Sequence, residues 1–168
     1  MRNIILVLTL FLTTTIFPQN EVAIQKEIDR SLWQPLKIAF ETLDAEKLNG
    51  LYAQQVLRVT PNGIDTENTF KGANQKRFEV NSAKKVSIQL DFWFDSRHTN
   101  LYTSYEVGFY RMKLIDDERS DTIYGQFHIV LRKIDGYWRI TQDWDTDTIN
   151  GKPLTKMDFE KQPPLKFE

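Results

Sequence analysis

Residues 125–144 read GQFHIVLRKIDGYWRITQDW, and this stretch carries the strongest fold signal in the chain. Apolar and polar side chains alternate on both sides of Asp135-Gly136, a dipeptide that favours the two-residue turn of a β-hairpin. The stretch therefore predicts two long antiparallel strands. The same period of two extends upstream through residues 86–95 and 101–115, so we expect four long antiparallel strands from residue 85 onward.

The segment before these strands is predicted to be helical. Apolar residues recur every four positions from Ile24 to Phe40, which is the spacing of an amphipathic helix, and Asn20 fits its N-cap. Pro35 predicts a kink or a restart near Gln34. Asp44 fits the N-cap of a short second helix. Helices followed by an antiparallel meander indicate an α+β fold with the helices on one face of the sheet.

Residues 1–19 are typical of an export signal. Arg2 supplies the positive charge, and the apolar run of residues 4–17 spans about 21 Å as a helix, short of the roughly 30 Å hydrocarbon core. We expect a periplasmic or extracellular protein with one domain over residues 20–150 and a polar C-terminal tail over residues 151–168. The alternatives are a membrane tether through an uncleaved signal and an ordinary N-terminal strand.

Composition narrows the function classes. The 168 residues include no cysteine, which excludes disulfides, cysteine-ligated metals and a cysteine nucleophile. With 22 Lys+Arg against 23 Asp+Glu, we expect no nucleic-acid partner and, after signal removal, no membrane partner. Asp143, Asp145 and Asp147 match positions 1, 3 and 5 of a calcium-binding loop. Thr148 and Leu154, however, stand at positions 6 and 12, where that loop has glycine and glutamate. We therefore expect no metal site and no cofactor.

The chain resembles the nuclear transport factor 2-like superfamily, which includes SnoaL-like and ketosteroid-isomerase-like proteins, as an exported bacterial member. The resemblance is carried by residues 33–52, by the sequence VLRVTP at residues 56–61 and by residues 125–144. It implies a cone-shaped α+β barrel in which N-terminal helices pack on a strongly curved antiparallel sheet, and it implies dimers formed sheet to sheet. Because the superfamily includes isomerases, dehydratases, hydrolases, binding domains and adaptors, the resemblance fixes no activity.

The catalytic residues of the steroid isomerases are missing at the matching positions. Leu36 stands where that family has a tyrosine that donates to the oxyanion, and Thr60 stands where it has the aspartate base before a proline. Leucine has no donor, and a threonine hydroxyl is no base near neutral pH. We expect no isomerase chemistry of that type.

Glu106 is the one acid in the middle of a long predicted strand that is apolar on both faces. If it faces inward, burial would raise its pKa and make it a general base beside Tyr102 or Tyr105. A solvated or interface carboxylate is the commoner fate. His128 is predicted on the outer sheet face, and His98 in a polar bend.

Strand alternation divides the aromatic residues, which make up 12% of the chain, between two faces. The predicted pocket or core face holds Trp33, Phe40, Tyr52, Phe92, Phe94, Phe127, Trp138, Gln142 and Trp144. The predicted outer interface holds Trp93, Tyr124, His128, Arg132, Tyr137 and Arg139.

These observations favour a non-catalytic function, the binding of a small apolar or amphipathic ligand in the cone, or a structural role. A lyase or isomerase that uses Glu106 with a tyrosine is one alternative. A protein-interaction module that works through the outer sheet face is another, and a homodimer is expected.

Overall fold

The structure is a computed structural model that describes the backbone of residues 17–167 and the side chains of residues 21–167. Most of the predicted export signal, residues 1–16, lies outside the described residues. In chain order the elements are α1 (Phe17–Ile28), a π-helical turn (Asp29–Trp33), α2 (Gln34–Glu41), α3 (Ala45–Gly50), β1 (Tyr52–Thr60), β2 (Gly63–Asp65), α4 (Thr69–Ala83), β3 (Ser87–Thr99), β4 (Thr103–Ile115), β5 (Ser120–Ile134), β6 (Tyr137–Thr146), β7 (Thr148–Ile149), β8 (Lys152–Pro153) and α5 (Lys156–Phe159). None of the helices within residues 17–167 combines the length and the apolarity that crossing a bilayer requires.

The N-terminal helix is interrupted where the sequence predicts. α1 passes into the π-helical turn, and α2 restarts at Gln34 with Pro35 in its first turn, where the missing N–H is tolerated. The turn directs Trp33 into the core, where only 2% of its surface is exposed. Asp44 caps α3 by accepting the N–H of Lys47 at 2.8 Å. The expected N-cap at Asn20 is wrong, because α1 already begins at Phe17.

Six strands form one sheet in the order β2-β1-β6-β5-β4-β3. The strands β3 to β6 make the predicted antiparallel meander, and Asp135 and Gly136 turn between the last two with φ of 51° and 83°. β1 pairs with β6 in parallel, so the sheet is mixed rather than purely antiparallel. Helices N-terminal to this sheet confirm the predicted α+β class.

A β-bulge in β6 changes which of its side chains face the helices. Leu131 pairs with Ile140 and Val130 with Gln142, which leaves Thr141 as an extra residue. Before the bulge, Ile140 is buried as alternation predicts. After the bulge the alternation reverses, so that the odd-numbered residues of β6 point toward the helices and the even-numbered ones point away.

Trp33 lies at the centre of the main core. Its ring centroid is 5.0–5.1 Å from those of Phe92, Phe94 and Phe127. Phe127 is directly opposite Gly108 across β4 and β5, and a Cβ at that glycine would overlap the ring. The glycine therefore lets the Phe127 ring lie over the neighbouring strand.

The C-terminal tail packs on the outer sheet face and then on the edge of the sheet. Phe159 of α5 is 2% exposed against Trp93, whose indole N–H donates to the Phe159 carbonyl at 2.7 Å. Further along, the N–H of Leu165 donates to the Phe92 carbonyl of the edge strand β3 at 2.8 Å. The tail thus satisfies a backbone group at an edge that would otherwise be open to pairing.

Candidate functional site

A cavity of about 130 Å³ lies between the helices and the inner face of the sheet. Most of its wall is apolar, and the polar side chains on it come mainly from β1, β4, β6 and α4. The apolar lining residues are Trp33, Leu36, Phe40, Leu90, Phe92, Met112, Phe127 and Ile129. The polar lining residues are Tyr52, Arg58, Asn74, Arg77, Tyr110, Asp143 and Asp145.

Four of the polar residues form a hydrogen-bonded cluster around Arg58. The guanidinium donates to Asp143 Oδ2 at 2.5 Å and to Asp145 Oδ2 at 3.2 Å. The Tyr52 hydroxyl donates to the same Asp143 oxygen at 2.8 Å. Parallel pairing sets Arg58 beside Asp143, and the bulge at Thr141 turns both acids inward. Parallel pairing and bulge together therefore build this cluster.

Asp145 and Tyr110 keep hydrogen-bonding capacity toward the cavity. Burial raises the pKa of Asp145, the neighbouring Asp143 charge raises it further, and Arg58 opposes the rise. Among residues 21–167, the Asp145 carboxylate accepts one hydrogen bond, from Arg58, and its side chain is 27% exposed. Within the described chain, the Tyr110 hydroxyl has no hydrogen-bond partner, and burial and Asp145 raise its pKa. A ligand in the cavity would meet a free carboxylate oxygen and a neutral phenol.

Arg77 of α4 adds a second cation to the cavity wall. Its guanidinium lies over the rings of Phe40 and Phe78, at 5.4 and 5.3 Å from their centroids, and donates to Asn74 Oδ1 at 3.2 Å. Arg58 and Arg77 therefore balance the charges of Asp143 and Asp145. The polar part of the cavity wall therefore carries no net charge.

Glu106 faces the helices but lies outside the cavity. Its side chain is fully buried and accepts hydrogen bonds from Trp33 Nε1 at 2.5 Å, Ser104 Oγ at 2.8 Å and the Arg97 guanidinium at 3.0 Å. Arg97 also pairs with Asp29 of the π-helical turn at 2.8 Å. Burial raises the pKa of Glu106, and Arg97 opposes this. The carboxylate anchors the turn to the sheet.

The alternative in which Glu106 works with Tyr102 or Tyr105 is contradicted by the positions of both tyrosines. Tyr102 lies in the turn between β3 and β4 with 70% of its surface exposed. Tyr105 is next to Glu106 in β4, so its side chain points to the opposite face of the sheet. Its hydroxyl lies 2.6 Å from His128 Nδ1 on that outer face. Neither hydroxyl bonds the carboxylate.

Five of the predicted pocket residues line the cavity: Trp33, Phe40, Tyr52, Phe92 and Phe127. Phe94 packs beside the cavity in the core, and Trp138 is buried with its indole N–H donated to Glu27 at 3.2 Å. The placement of Gln142 and Trp144 in the pocket is wrong, because both follow the bulge and lie on the outer face. There the Trp144 ring meets His128 edge-on at 4.5 Å.

The predicted interface residues also divide into two groups. Trp93 and Tyr124 do not form a free surface, because both contact Phe159 of the tail. His128, Arg132, Tyr137 and Arg139 remain on the part of the outer face that the tail leaves uncovered. Residues 21–167 contain no group of three or more histidine and acidic side chains with the geometry to hold a metal ion.

Sequence reasoning missed Arg58, Arg77 and Tyr110, and it considered Asp143 and Asp145 only as part of an incomplete calcium loop. One signal was available. Arg58 interrupts the apolar run VLRVT, and an arginine that folding buries needs an acid nearby.

Comparison with protein-family models and with curated proteins finds no match for this chain. Solved structures do match. A nuclear transport factor 2-like protein of unknown function from Shewanella oneidensis is 20% identical with a TM-score of 0.59, over 74% of this chain and 99% of that one. A candidate scytalone dehydratase from Novosphingobium aromaticivorans is 15% identical with a TM-score of 0.59, over 79% and 92%. A candidate calcium/calmodulin-dependent protein kinase II association domain from Xanthomonas campestris is 19% identical with a TM-score of 0.54, over 72% and 86%. These likenesses confirm the fold that the sequence predicts.

Proposed function

We propose that this chain, which has the nuclear transport factor 2-like fold, binds a small amphipathic ring compound that carries a hydroxyl group. The observation that carries the proposal is the union, in one cavity, of an apolar wall with the free polar atoms of Asp145 and Tyr110. A hydroxyl donates to a carboxylate and accepts from a phenol, so it satisfies both groups at once.

The size of the cavity sets the size of the ligand. A dry cavity of about 150 Å³ holds one benzene ring, and this cavity has about 130 Å³. The cavity is therefore close in size to one six-membered ring, and any substituents on that ring must be small. For about eight heavy atoms we expect a dissociation constant on the order of 0.1–1 mM.

The test uses p-cresol and toluene, which differ only by the hydroxyl group. Saturation-transfer NMR and thermal shift are expected to detect p-cresol binding at least about tenfold tighter than toluene binding, since a hydrogen bond to a charged group contributes about 1.5–3 kcal/mol. Tyr110→Phe and Asp145→Asn are expected to weaken p-cresol and to leave toluene unchanged. Equal binding of the two compounds would contradict the proposal that Asp145 and Tyr110 hydrogen-bond to the hydroxyl group of the ligand.

Two tryptophan substitutions on α2 locate the binding site. Leu36 lines the cavity, whereas Ile38 is 39% exposed on the solvent side of the same helix. Leu36→Trp is expected to fill the cavity and abolish p-cresol binding, and Ile38→Trp is the matched control that retains it. Binding that survives in a folded Leu36→Trp variant would place the ligand elsewhere.

Acid–base catalysis is a second candidate function, and Asp145 favours it. Its raised pKa and free carboxylate oxygen suit a group that takes a proton from a bound carbonyl compound, while Tyr110 donates to the carbonyl oxygen. Exchange of the α-hydrogens of cyclohexanone in D₂O, followed by ¹H NMR, tests this function. Exchange that is faster with wild-type protein than in buffer, and that Asp145→Asn abolishes, would support acid–base catalysis. Exchange at the same rate with wild-type protein as in buffer alone would exclude catalysis of this reaction for cyclohexanone.

Export is a further proposal, supported by the charge and apolar run of residues 1–19. Mass spectrometry of the protein expressed in bacteria and recovered from the periplasm is expected to find a chain that begins at Asn20. Full-length protein in the membrane fraction would indicate the tether instead.

A further inference from the structure

The tail leaves part of the outer sheet face uncovered. Among the large hydrophobic residues that are exposed in the described chain, strand pairing places Leu57, Ile64, Tyr105, Ile134 and Tyr137 on this face of the sheet. Such a concentration in one place distinguishes a binding surface from the scattered apolar residues of an ordinary surface.

Strand pairing aligns this surface in rows. Tyr105, Val130 and Gln142 are cross-strand neighbours in one row, and His128 and Trp144 are neighbours in the next. We call the area formed by Leu57, Tyr105, His128, Arg132, Arg139 and Trp144 the outer patch. Its side chains come from β1, β4, β5 and β6, so a continuous sheet supports them.

Arg132 and Arg139 lie directly opposite each other on β5 and β6. Like charges at directly opposed positions of an antiparallel pair destabilise it. Within the described chain neither arginine has an acidic side chain within salt-bridge distance; Arg139 lies over the Tyr137 ring at 5.3 Å. The outer patch itself contains no acid and no lysine. Two opposed cations beside exposed aromatic rings are therefore left uncompensated.

We propose that the outer patch binds a protein segment that carries carboxylates next to apolar side chains. The carboxylates would pair with Arg132 and Arg139, and the apolar side chains would cover Tyr105 and Trp144. Aromatic residues and arginine are the types enriched in the cores of protein interfaces. This proposal is independent of the ligand proposed for the cavity, because the patch lies on the opposite face of the sheet.

Charge argues against a second copy of this chain as the occupant. Packing the patch against itself would bring Arg132 and Arg139 of both copies into one interface, with no acid of the patch to pair with them. Where such packing sets these arginines against one another, their like charges oppose association. An acidic partner gains from the same charges.

The experiment selects phage-displayed random twelve-residue peptides on the wild-type protein. Peptides enriched on the wild type are expected to carry aspartate or glutamate beside Phe, Leu, Ile or Trp. Synthetic versions are then titrated by Trp fluorescence against wild type, an Arg132→Gln/Arg139→Gln double variant and the control Arg119→Gln, which changes an exposed arginine of the β4–β5 turn. We expect at least about tenfold weaker binding to the double variant, unchanged binding to the control, and weaker binding at 0.5 M than at 0.05 M salt.

Three results would overturn the proposal. The first is enrichment of peptides without acids. The second is equal binding to wild type and double variant. The third, from sedimentation velocity, is a wild-type dimer that Trp144→Ala dissociates, because it would make a second copy the occupant.

Discussion

Glu106 and Asp145 are both largely buried carboxylates that face an arginine on the inner side of one sheet, and burial raises the pKa of each. They differ in what the rest of the carboxylate contacts. Glu106 accepts bonds from Trp33, Ser104 and Arg97 and has no exposed surface. Asp145 accepts one bond, and 27% of its side chain is exposed beside the cavity.

A raised pKa therefore does not by itself identify a functional carboxylate. A closed carboxylate such as Glu106 has used its lone pairs on groups of the protein, so it holds elements together. An open one such as Asp145 has unused lone pairs that face a space of ligand size. Free hydrogen-bonding capacity toward a cavity is therefore the more specific sign of a binding or catalytic role.

The largest change in the free energy of unfolding is expected from Glu106→Ala. The substitution removes the acceptor of the buried Trp33 N–H and one of the two acids that pair with Arg97, and breaking a buried ion pair typically costs about 3–5 kcal/mol. Equilibrium urea unfolding measures the loss, and Glu106→Gln is expected to lose less because it keeps one acceptor oxygen.

Glu46→Ala, at an exposed position of α3, is the control and is expected to change the free energy of unfolding by no more than about 0.5 kcal/mol. If Glu106→Ala unfolded at the wild-type urea concentration, Glu106 would not be the anchor of the π-helical turn.

The second-largest change in the free energy of unfolding is expected from Arg58→Met. This substitution removes the cation from the hydrogen-bonded cluster that Arg58 forms with Tyr52, Asp143 and Asp145. Without the guanidinium, Asp143 and Asp145 lie close together with no cation bonded to them, and we expect a loss of about 2 kcal/mol at pH 7, since Arg58 is partly exposed. Losing Arg58 also removes the influence that lowers the pKa of Asp145. A carboxyl whose folded pKa is raised contributes stability below its unfolded pKa and loses it as the pH rises through the folded pKa.

The deficit of Arg58→Met relative to wild type is therefore expected to shrink between pH 7 and pH 4. Urea unfolding at both pH values measures it, with Arg119→Met as the exposed control. A deficit that stays constant with pH would mean that lost packing, rather than two unpaired acids, causes the effect.

The sequence predicts the fold well because local patterns determine most of it. The alternation around Asp135-Gly136 defines the hairpin, Pro35 places the restart of α2, and the Asp44 side chain caps α3 as expected. Each of these features depends on residues close together in the chain. Such features follow from turn, cap and strand preferences alone.

The site was less predictable because it depends on one extra residue. Strict alternation places Gln142 and Trp144 on the same face as Trp138, and the bulge at Thr141 exchanges them for Asp143 and Asp145. A bulge has no strong sequence signature, and a shift of one residue moves every later side chain to the other face. The parallel pairing of β1 with β6, which brings Arg58 to both acids, is a long-range contact that no local pattern encodes.

The covering of Trp93 by the tail was missed for a different reason. Residues 151–168 are polar overall, yet Thr155 and Asp158 form a capping box directly before Phe159. That spacing marks a helix start, and Phe159 is the one large apolar residue that the helix buries. The signal was present in the sequence but stood in a segment whose composition is typical of a frayed end.

The smallest effect is expected from Asp145→Asn, and its sign is opposite to the others. Because the folded pKa of Asp145 is raised, its ionised form is less favourable in the folded than in the unfolded protein. Asparagine resembles the protonated form, so the variant is expected to be slightly more stable than wild type at pH 7. The gain is expected to fall toward zero as the pH drops through the folded pKa to the unfolded value near 3.8.

Thermal unfolding of wild type, Asp145→Asn and the exposed control Asp121→Asn between pH 3.5 and 8 measures this difference in stability. If Asp145→Asn is more stable than wild type at pH 7 and no longer binds p-cresol, the ionised Asp145 lowers the stability of the protein and serves ligand binding. If Asp145→Asn is less stable than wild type at pH 7, Asp145 is a structural carboxylate like Glu106.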